Sequence, residues 1–451
     1  MTDDTSRPDE PAGDPPLSVY DVRAHDRTLA PRIAAAVERV IASGWFVLGS
    51  EGERFEAAWA EWLGGGEVVG VGSGTDALRL ALTAGGVGPG DGVLTVPNTA
   101  VPTASAISAA GAEPHFVDVD PATGLIAIEK VEAALRPNTR AILPVHLHGR
   151  AAPMEPLVEI ARRRGLLLVE DAAQAHGALT GGRPAGTWGD FGCFSFYPSK
   201  NLGAYGDGGA IWTSSPEAAA ALRRLRNYGQ SDRYVHDSIG LNSRLDEIQA
   251  AILGVKLPHL RAWNRRRAEL ARRYRALLRS LPLALPAEAP EGAHVFHLFA
   301  VRVSDREAVR ARLSARGIAT QVHYPIPIHL QRAYRHLGGR PGDFPAAEAW
   351  CAETLSLPFS PALAEADLAR VAGALAEALA ETQAGTPAET QAEAPADPRG
   401  DARRETRSRT RNRTRSGAPG GVHPGTETPA GRAEHPAPGR GDGLAPETEA
   451  S

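Results

Sequence analysis

The chain has 451 residues, 42% hydrophobic and 23% charged, with a formal net charge of −4. That length can bury one large core or two domains, and the charge balance gives no global attraction to a polyanion. Two cysteines cannot build a disulfide framework, no Cys/His metal spacing surrounds them, and no apolar run approaches the roughly 20 residues of a bilayer span, so a cytoplasmic protein with neither metal site nor membrane anchor is expected.

Residues 1–16 are acidic and polar and lack the apolar stretch of a secretory signal, which predicts a disordered lead-in. The spacing of Leu29, Ile33, Val37, Val40 and Ile41 predicts a helix over Asp26–Ser43. An aromatic loop, Gly44–Gly49, and a second helix, Glu53–Leu63, follow. Short apolar strands then alternate with helices: strands at 68–71, 92–96, 115–119, 141–145 and 166–169, and helices at 75–83, 102–110, 128–135 and 153–164. This rhythm predicts an α/β fold with a mostly parallel sheet covered on both faces, in which ligands bind beyond the carboxyl ends of the strands. Two close strands, 191–197 and 209–213, and helices at 216–227, 245–257 and 264–281 complete a large domain at 17–282. A smaller α+β domain is expected over 283–381, with strands at 294–303 and 320–323 and helices at 306–316, 346–354 and 365–381. Residues 382–451 are poor in apolar side chains and rich in Pro, Gly and Arg, which predicts a disordered tail.

Only three of the 49 lysines and arginines are lysines: Lys130, Lys200 and Lys256. A guanidinium stays protonated and forms no imine, whereas a desolvated amine does. Lys200 follows an apolar aromatic run and precedes a Gly-rich loop. Upstream, Gly72–Leu78 links a strand to a helix, where the amides of Gly74, Thr75 and Asp76 suit an anion; it equally fits a capped turn. It matches neither a Walker loop nor a dinucleotide fingerprint. Asp171 and Gln174 follow another apolar strand, where a carboxylate needs a cationic partner or serves as a cap; His176 is placed to orient Asp171. Ser195 and Tyr197 have the spacing to face one way on a strand, and Asn242 or Ser243 fits a helix cap. His146 and His148 fit strand-end packing better than a metal site, and Trp45 and Phe46 fit either stacking on a ligand or anchoring in the core. An anion cradle, a strand-end carboxylate and a set-apart lysine are together what pyridoxal phosphate requires.

The segments Gly72–Leu78, Pro114–Pro121, Pro144–Gly149, Glu170–Ala178, Phe194–Gly203, Gly206–Gly209 and Asn242–Ala250 resemble, in order, motifs of the DegT/DnrJ/EryC1/StrS sugar aminotransferases of pyridoxal-phosphate fold type I. The resemblance spans roughly residues 17–382. It implies that Lys200 carries the cofactor and moves the proton, and that Asp171 pairs with the ring nitrogen. It further implies that Gln174 contacts the ring, that Gly74, Thr75, Asp76 and Ser195 hold the phosphate, and that Asn242 reaches the other subunit's cofactor in a homodimer. Related dehydratases carry His at the lysine position, so Lys200 argues against that chemistry. Many members carry an aromatic residue where this chain has Ala100, which leaves open what covers the ring.

The segment Val322–Tyr334 resembles the branch that aminates the 3-keto carbon of nucleotide-linked 6-deoxyhexoses, with His323 and Tyr324 at the reaction site and, with Tyr197, around the sugar. The implied reaction moves an amino group from glutamate, which leaves as 2-oxoglutarate, to a dTDP-linked keto sugar in deoxyaminosugar biosynthesis. Amination at C4 or of a keto-cyclitol uses the same machinery. A regulatory protein binding nucleic acid through Arg403–Arg415 is the rival class, but that run has no aromatic residue for base stacking, so no nucleic-acid partner is expected.

Overall fold

The computed structural model describes residues 16–22 and 26–385. The lead-in expected over 1–16 lies outside the described residues except for Pro16, and so does the tail expected over 382–451 except for 382–385, which are helical. Two helices, α1 (Ala30–Ser43) and α2 (Ser50–Leu63), lead into the alternating region. This comprises β1 (Glu67–Val71), α3 (Gly74–Ala84), β2 (Gly92–Thr95), α4 (Val101–Ala109), β3 (Glu113–Phe116), α5 (Ile128–Ala134), β4 (Thr139–Ile142), α6 (Met154–Arg164) and β5 (Leu167–Asp171). Next come β6 (Phe191–Ser195), β7 (Gly209–Thr213), α7 (Pro216–Leu225), α8 (Glu247–Lys256) and α9 (Leu260–Leu278).

These strands form one seven-stranded sheet in the order β1-β7-β6-β5-β4-β2-β3. Only β7 runs against its neighbours; the pairs from β6 through β3 are parallel. Side-chain alternation divides the strands between two cores. On β6, Phe191 and Cys193 join one core and Phe194 the other; β7 separates Ile211 from Ala210 and Trp212, and β1 separates Val69 and Val71 from Val68. Leu78 and Leu80 of α3 and Leu157 of α6 cover the first face. Phe55 and Trp59 of α2 and Leu253 of α8 cover the second. Both faces are dry, which is why the strands read as continuous apolar runs.

A separate core follows, built on β8 (Phe299–Arg302), α10 (Arg306–Ala315), β9 (Thr354–Leu357) and α12 (Glu365–Gly385), whereas α11 (Pro345–Glu353) returns Ala347 and Trp350 to the first core of the sheet. Tyr274 and Leu278 of α9 pack there with Phe299, Val301, Leu355, Leu357, Val371 and Leu375. The strand expected over 294–303 is shortened to β8, because Phe296 adopts a left-handed φ of 48°. Residues 293–298 instead bond along the loop after β4: Val295 N donates to Gly149 O at 2.9 Å and Ala151 N to Ala293 O at 2.9 Å. The strand expected over 320–323 reduces to one bridge, Gln321 to Ser356. Its partner β9 begins at Thr354, the residue expected to end a helix, and α12 continues to Gly385 beyond its expected end. Among the described residues, no helix is long and apolar enough to cross a membrane.

Candidate active site

Lys200 lies in the loop between β6 and β7, and hydrogen bonds fix that loop from several sides. Lys200 N donates to Tyr197 O at 2.8 Å, and Ala204 N to Phe196 O at 2.7 Å. Asn201 Nδ2 donates to Asn264 Oδ1 and Val295 O at 2.9 and 3.1 Å. Buried Lys256 donates to Gly203 O at 2.8 Å and pairs with Asp26 at 2.7 Å, while Lys130 pairs with Asp118 at 3.0 Å. Two of the three lysines are thus ion-paired, and Lys200 has no ion pair among the described residues. Desolvation lowers its pKa to about 8, against a smaller opposing pull from the Asp171 charge.

Asp171 ends β5 with its side chain buried. Oδ2 accepts from Thr103 Oγ1 at 2.8 Å, and Oδ1 from Ala173 N at 3.2 Å. Burial raises its pKa, and Thr103, Ala173 and Lys200 hold it back. Asp171 and Gln174 do not cap a helix. His176 makes no hydrogen bond to Asp171; it lies among the rings of Trp59, Phe194 and Phe196, where desolvation lowers its pKa to about 3. The preceding Glu170 anchors the strand end. It accepts from the amides of Gly186, Trp188 and Gly189 at 2.6–2.8 Å and from His146 Nε2 at 3.0 Å. Ala152 N donates to His146 Nδ1 at 2.8 Å, so the proton is on Nε2 and points at Glu170.

The anion cradle opens α3. Its first-turn amides at Gly74 and Thr75 have no intrahelical acceptor and face the positive end of the helix dipole. A Cβ on Gly74 would lie 2.6 Å from Ser195 Cβ and 3.2 Å from Ser195 Oγ, so glycine keeps this corner open beside the serine hydroxyl. Asp76 departs from expectation: its amide donates to the Ser73 cap at 3.1 Å, and its carboxylate accepts from Ser243 Oγ at 2.7 Å. It is a strut of the cradle rather than a free donor. Ser243 also accepts from Gly72 N at 3.0 Å and caps no helix; α8 begins at Glu247 after Asp246. Asn242, next to this strut, is exposed.

Gln174 joins two further segments. Its Oε1 accepts from His148 N at 2.6 Å, and its Nε2 donates to Tyr324 Oη at 3.0 Å. His148 Nε2 meets the carbonyl of His323 at 3.0 Å, and His323 Nδ1 meets Ser356 Oγ at 2.9 Å. Desolvation lowers the pKa of both histidines to about 4, while burial raises that of Tyr324 to about 12. Tyr197 lies beyond the end of β6, 55% exposed, so it does not share a strand face with Ser195.

The model of the DegT/DnrJ/EryC1/StrS aminotransferase family matches residues 27–376. The chain belongs to this family. Its members depend on pyridoxal 5′-phosphate, and the dipole-backed corner at Gly74 and Ser195, the buried Asp171 and the desolvated Lys200 fit that group. A dTDP-3-amino-3,4,6-trideoxy-alpha-D-glucose transaminase of Streptomyces venezuelae is 46% identical over 80% of this chain and 96% of its own. A UDP-N-acetyl-3-dehydro-alpha-D-glucosamine 3-aminotransferase of Acidithiobacillus ferrooxidans is 45% identical over 79% of this chain and 96% of its own. The crystal structure of S. venezuelae DesV in complex with a ketimine intermediate superposes with a TM-score of 0.79 at 46% identity, covering 80% of this chain and 98% of that one.

Several contacts escaped sequence reasoning. Thr103 lies 68 positions from the carboxylate it supports, and only its place at the start of a helix after a strand marked it. Glu247 accepts from the amides of Gly49, Glu51 and Gly52 at 2.8–3.0 Å, clamping the aromatic loop. Trp45 and Phe46 on that loop are 63% and 47% exposed, so they are not core anchors. Ala100 directly precedes α4 as its N-cap residue and makes no side-chain cap hydrogen bond.

Proposed function

We propose that this aminotransferase transfers the amino group of glutamate to the C3 ketone of a dTDP-linked 6-deoxy-keto-hexose. The observation that carries the reading is the desolvated Lys200, coupled to buried Asp171 beside the Gly74–Ser195 corner. Bound there, pyridoxal phosphate supplies an electron sink for breaking bonds at the amine-bearing carbon. Gly74 N, Thr75 N and Ser195 Oγ would hold its phosphate, and the Asp171 carboxylate would keep the proton on its ring nitrogen. Gln174, held by His148 N and Tyr324 Oη, would contact the ring system. Lys200 Nζ, with its pKa near 8, is uncharged in about a tenth of molecules at neutral pH and so takes up and returns the proton at the substrate carbon. Tyr197, His323 and Tyr324 offer hydroxyl and imidazole groups to the sugar, and the smaller domain, 283–381, carries the last two. The 3-amination performed by the two relatives supports C3 as the position.

The enzyme works as a homodimer in the cytoplasm, and Asn242 enters the site of the second copy. Tyr234, Val235 and Ile239, on the segment leading to Asn242, are 81%, 50% and 96% exposed, an apolar surface that a second copy would cover. Free buried cysteines at 193 and 351 suit a reducing compartment. The test follows the cofactor spectrum in two half-reactions. Glutamate should convert it to the amine form, and a dTDP-3-keto-6-deoxyhexose should convert it back. Return by 4-keto sugars alone would overturn the assignment.

A further inference from the structure

The loop after β4 carries a histidine with no place in the chemistry above. His148 has a left-handed φ of 57°, a conformation that His and Asn tolerate better than most residues. That turn is held on every side. His146 N donates to Asp171 O at 3.1 Å, His148 N to Gln174 Oε1 at 2.6 Å, and Leu298 N to His148 O at 3.4 Å. Next to it, a Cβ on Gly149 would lie 2.8 Å from His297 N and 2.9 Å from Gln174 O, so the backbone has no room to shift. The turn therefore aims the imidazole at one target, the carbonyl of His323, 3.0 Å from Nε2.

A carbonyl only accepts, so Nε2 carries the proton and His148 is the donor. The bond joins the loop beside Asp171 to the segment bearing His323 and Tyr324. Gln174 bonds to His148 N on one side and Tyr324 Oη on the other, closing a ring through His148, His323, Tyr324 and Gln174. Neither Lys200 nor Asp171 is a hydrogen-bond partner of the His148 ring.

We propose that His148 is a positioning residue for the keto-sugar half of the reaction, setting His323 and Tyr324 through its bond to the His323 carbonyl while leaving the amino-donor half untouched. The inference rests on the assignment of His323 and Tyr324 to the sugar. It separates the two halves: glutamate needs Lys200 and Asp171, whereas the sugar also needs the Tyr324 hydroxyl held at Gln174.

His148→Asn keeps a residue that accepts the left-handed turn but is too short to reach His323, and His148→Phe keeps the ring but loses the donor. In both, kcat/KM for the keto sugar should fall about tenfold, as for one lost buried hydrogen bond. Cofactor conversion by glutamate should stay within about twofold of wild type. Equal losses in both halves, or no loss in either, would overturn the proposal. Failure of wild type itself to react with any keto sugar would instead overturn the functional reading. Nitrogen NMR of wild-type protein gives an independent check without variants: His148 should carry its proton on Nε2, and a proton on Nδ1 alone would overturn the proposal.

Discussion

Thr103→Val removes the hydroxyl that donates to Asp171 Oδ2 at 2.8 Å and leaves a side chain of the same shape. A hydrogen bond to a charged acceptor contributes about 1.5–3 kcal/mol, and one pKa unit is about 1.4 kcal/mol, so losing it should raise the Asp171 pKa by roughly one to two units. The direction follows from the protonation state required. Burial already raises this pKa, and Thr103 favours the ionised form. On the proposed role of Asp171 the reaction needs the carboxylate, so activity should be present above the Asp171 pKa and lost as pH falls through it. In Thr103→Val that loss should begin one to two pH units higher, roughly, while the alkaline limb stays in place. The assay is the pH profile of kcat/KM in the glutamate half-reaction, with Thr103→Ser expected to restore the wild-type profile. A folded Thr103→Val protein with an unmoved acid limb would refute the reasoning.

The amine of Lys200 should titrate near 8, so the initial rate at which apoprotein takes up pyridoxal phosphate should rise with a midpoint there. Asp171→Asn removes the charge that holds this pKa up and should move the midpoint lower; a midpoint near the ordinary lysine value of about 10.4 would contradict the desolvated setting. If Asn242 serves the other subunit, mixing the inactive Lys200→Arg and Asn242→Ala proteins under subunit exchange should restore about a quarter of wild-type sites. Absence of recovery despite heterodimer formation would place Asn242 in its own subunit's site.

The alternating strands and helices were legible because their apolar runs answer to two dry faces of one sheet. The places of Asp171 and Ser195 at strand ends, of Gly74 at a helix start and of Lys200 in the loop after a strand were legible from the apolar runs that precede them. What escaped was set by distant contacts. The pattern of 294–303 reads as a strand, yet Phe296 turns left-handed and the segment bonds to residues 148–151. His176 looked like a partner for Asp171 from its spacing, but the loop turns it among aromatic rings and Thr103 arrives from another helix. Asp76 looked like a phosphate donor until Ser73 and Ser243 engaged it.

With only three lysines in the chain, one experiment bears most directly on the centre of the account. Borohydride reduction of the protein with pyridoxal phosphate, followed by peptide mass spectrometry, should place the cofactor on Lys200, with no label there in Lys200→Arg. Stoichiometric label on Lys130 or Lys256, with Lys200 unmodified, would contradict the site described.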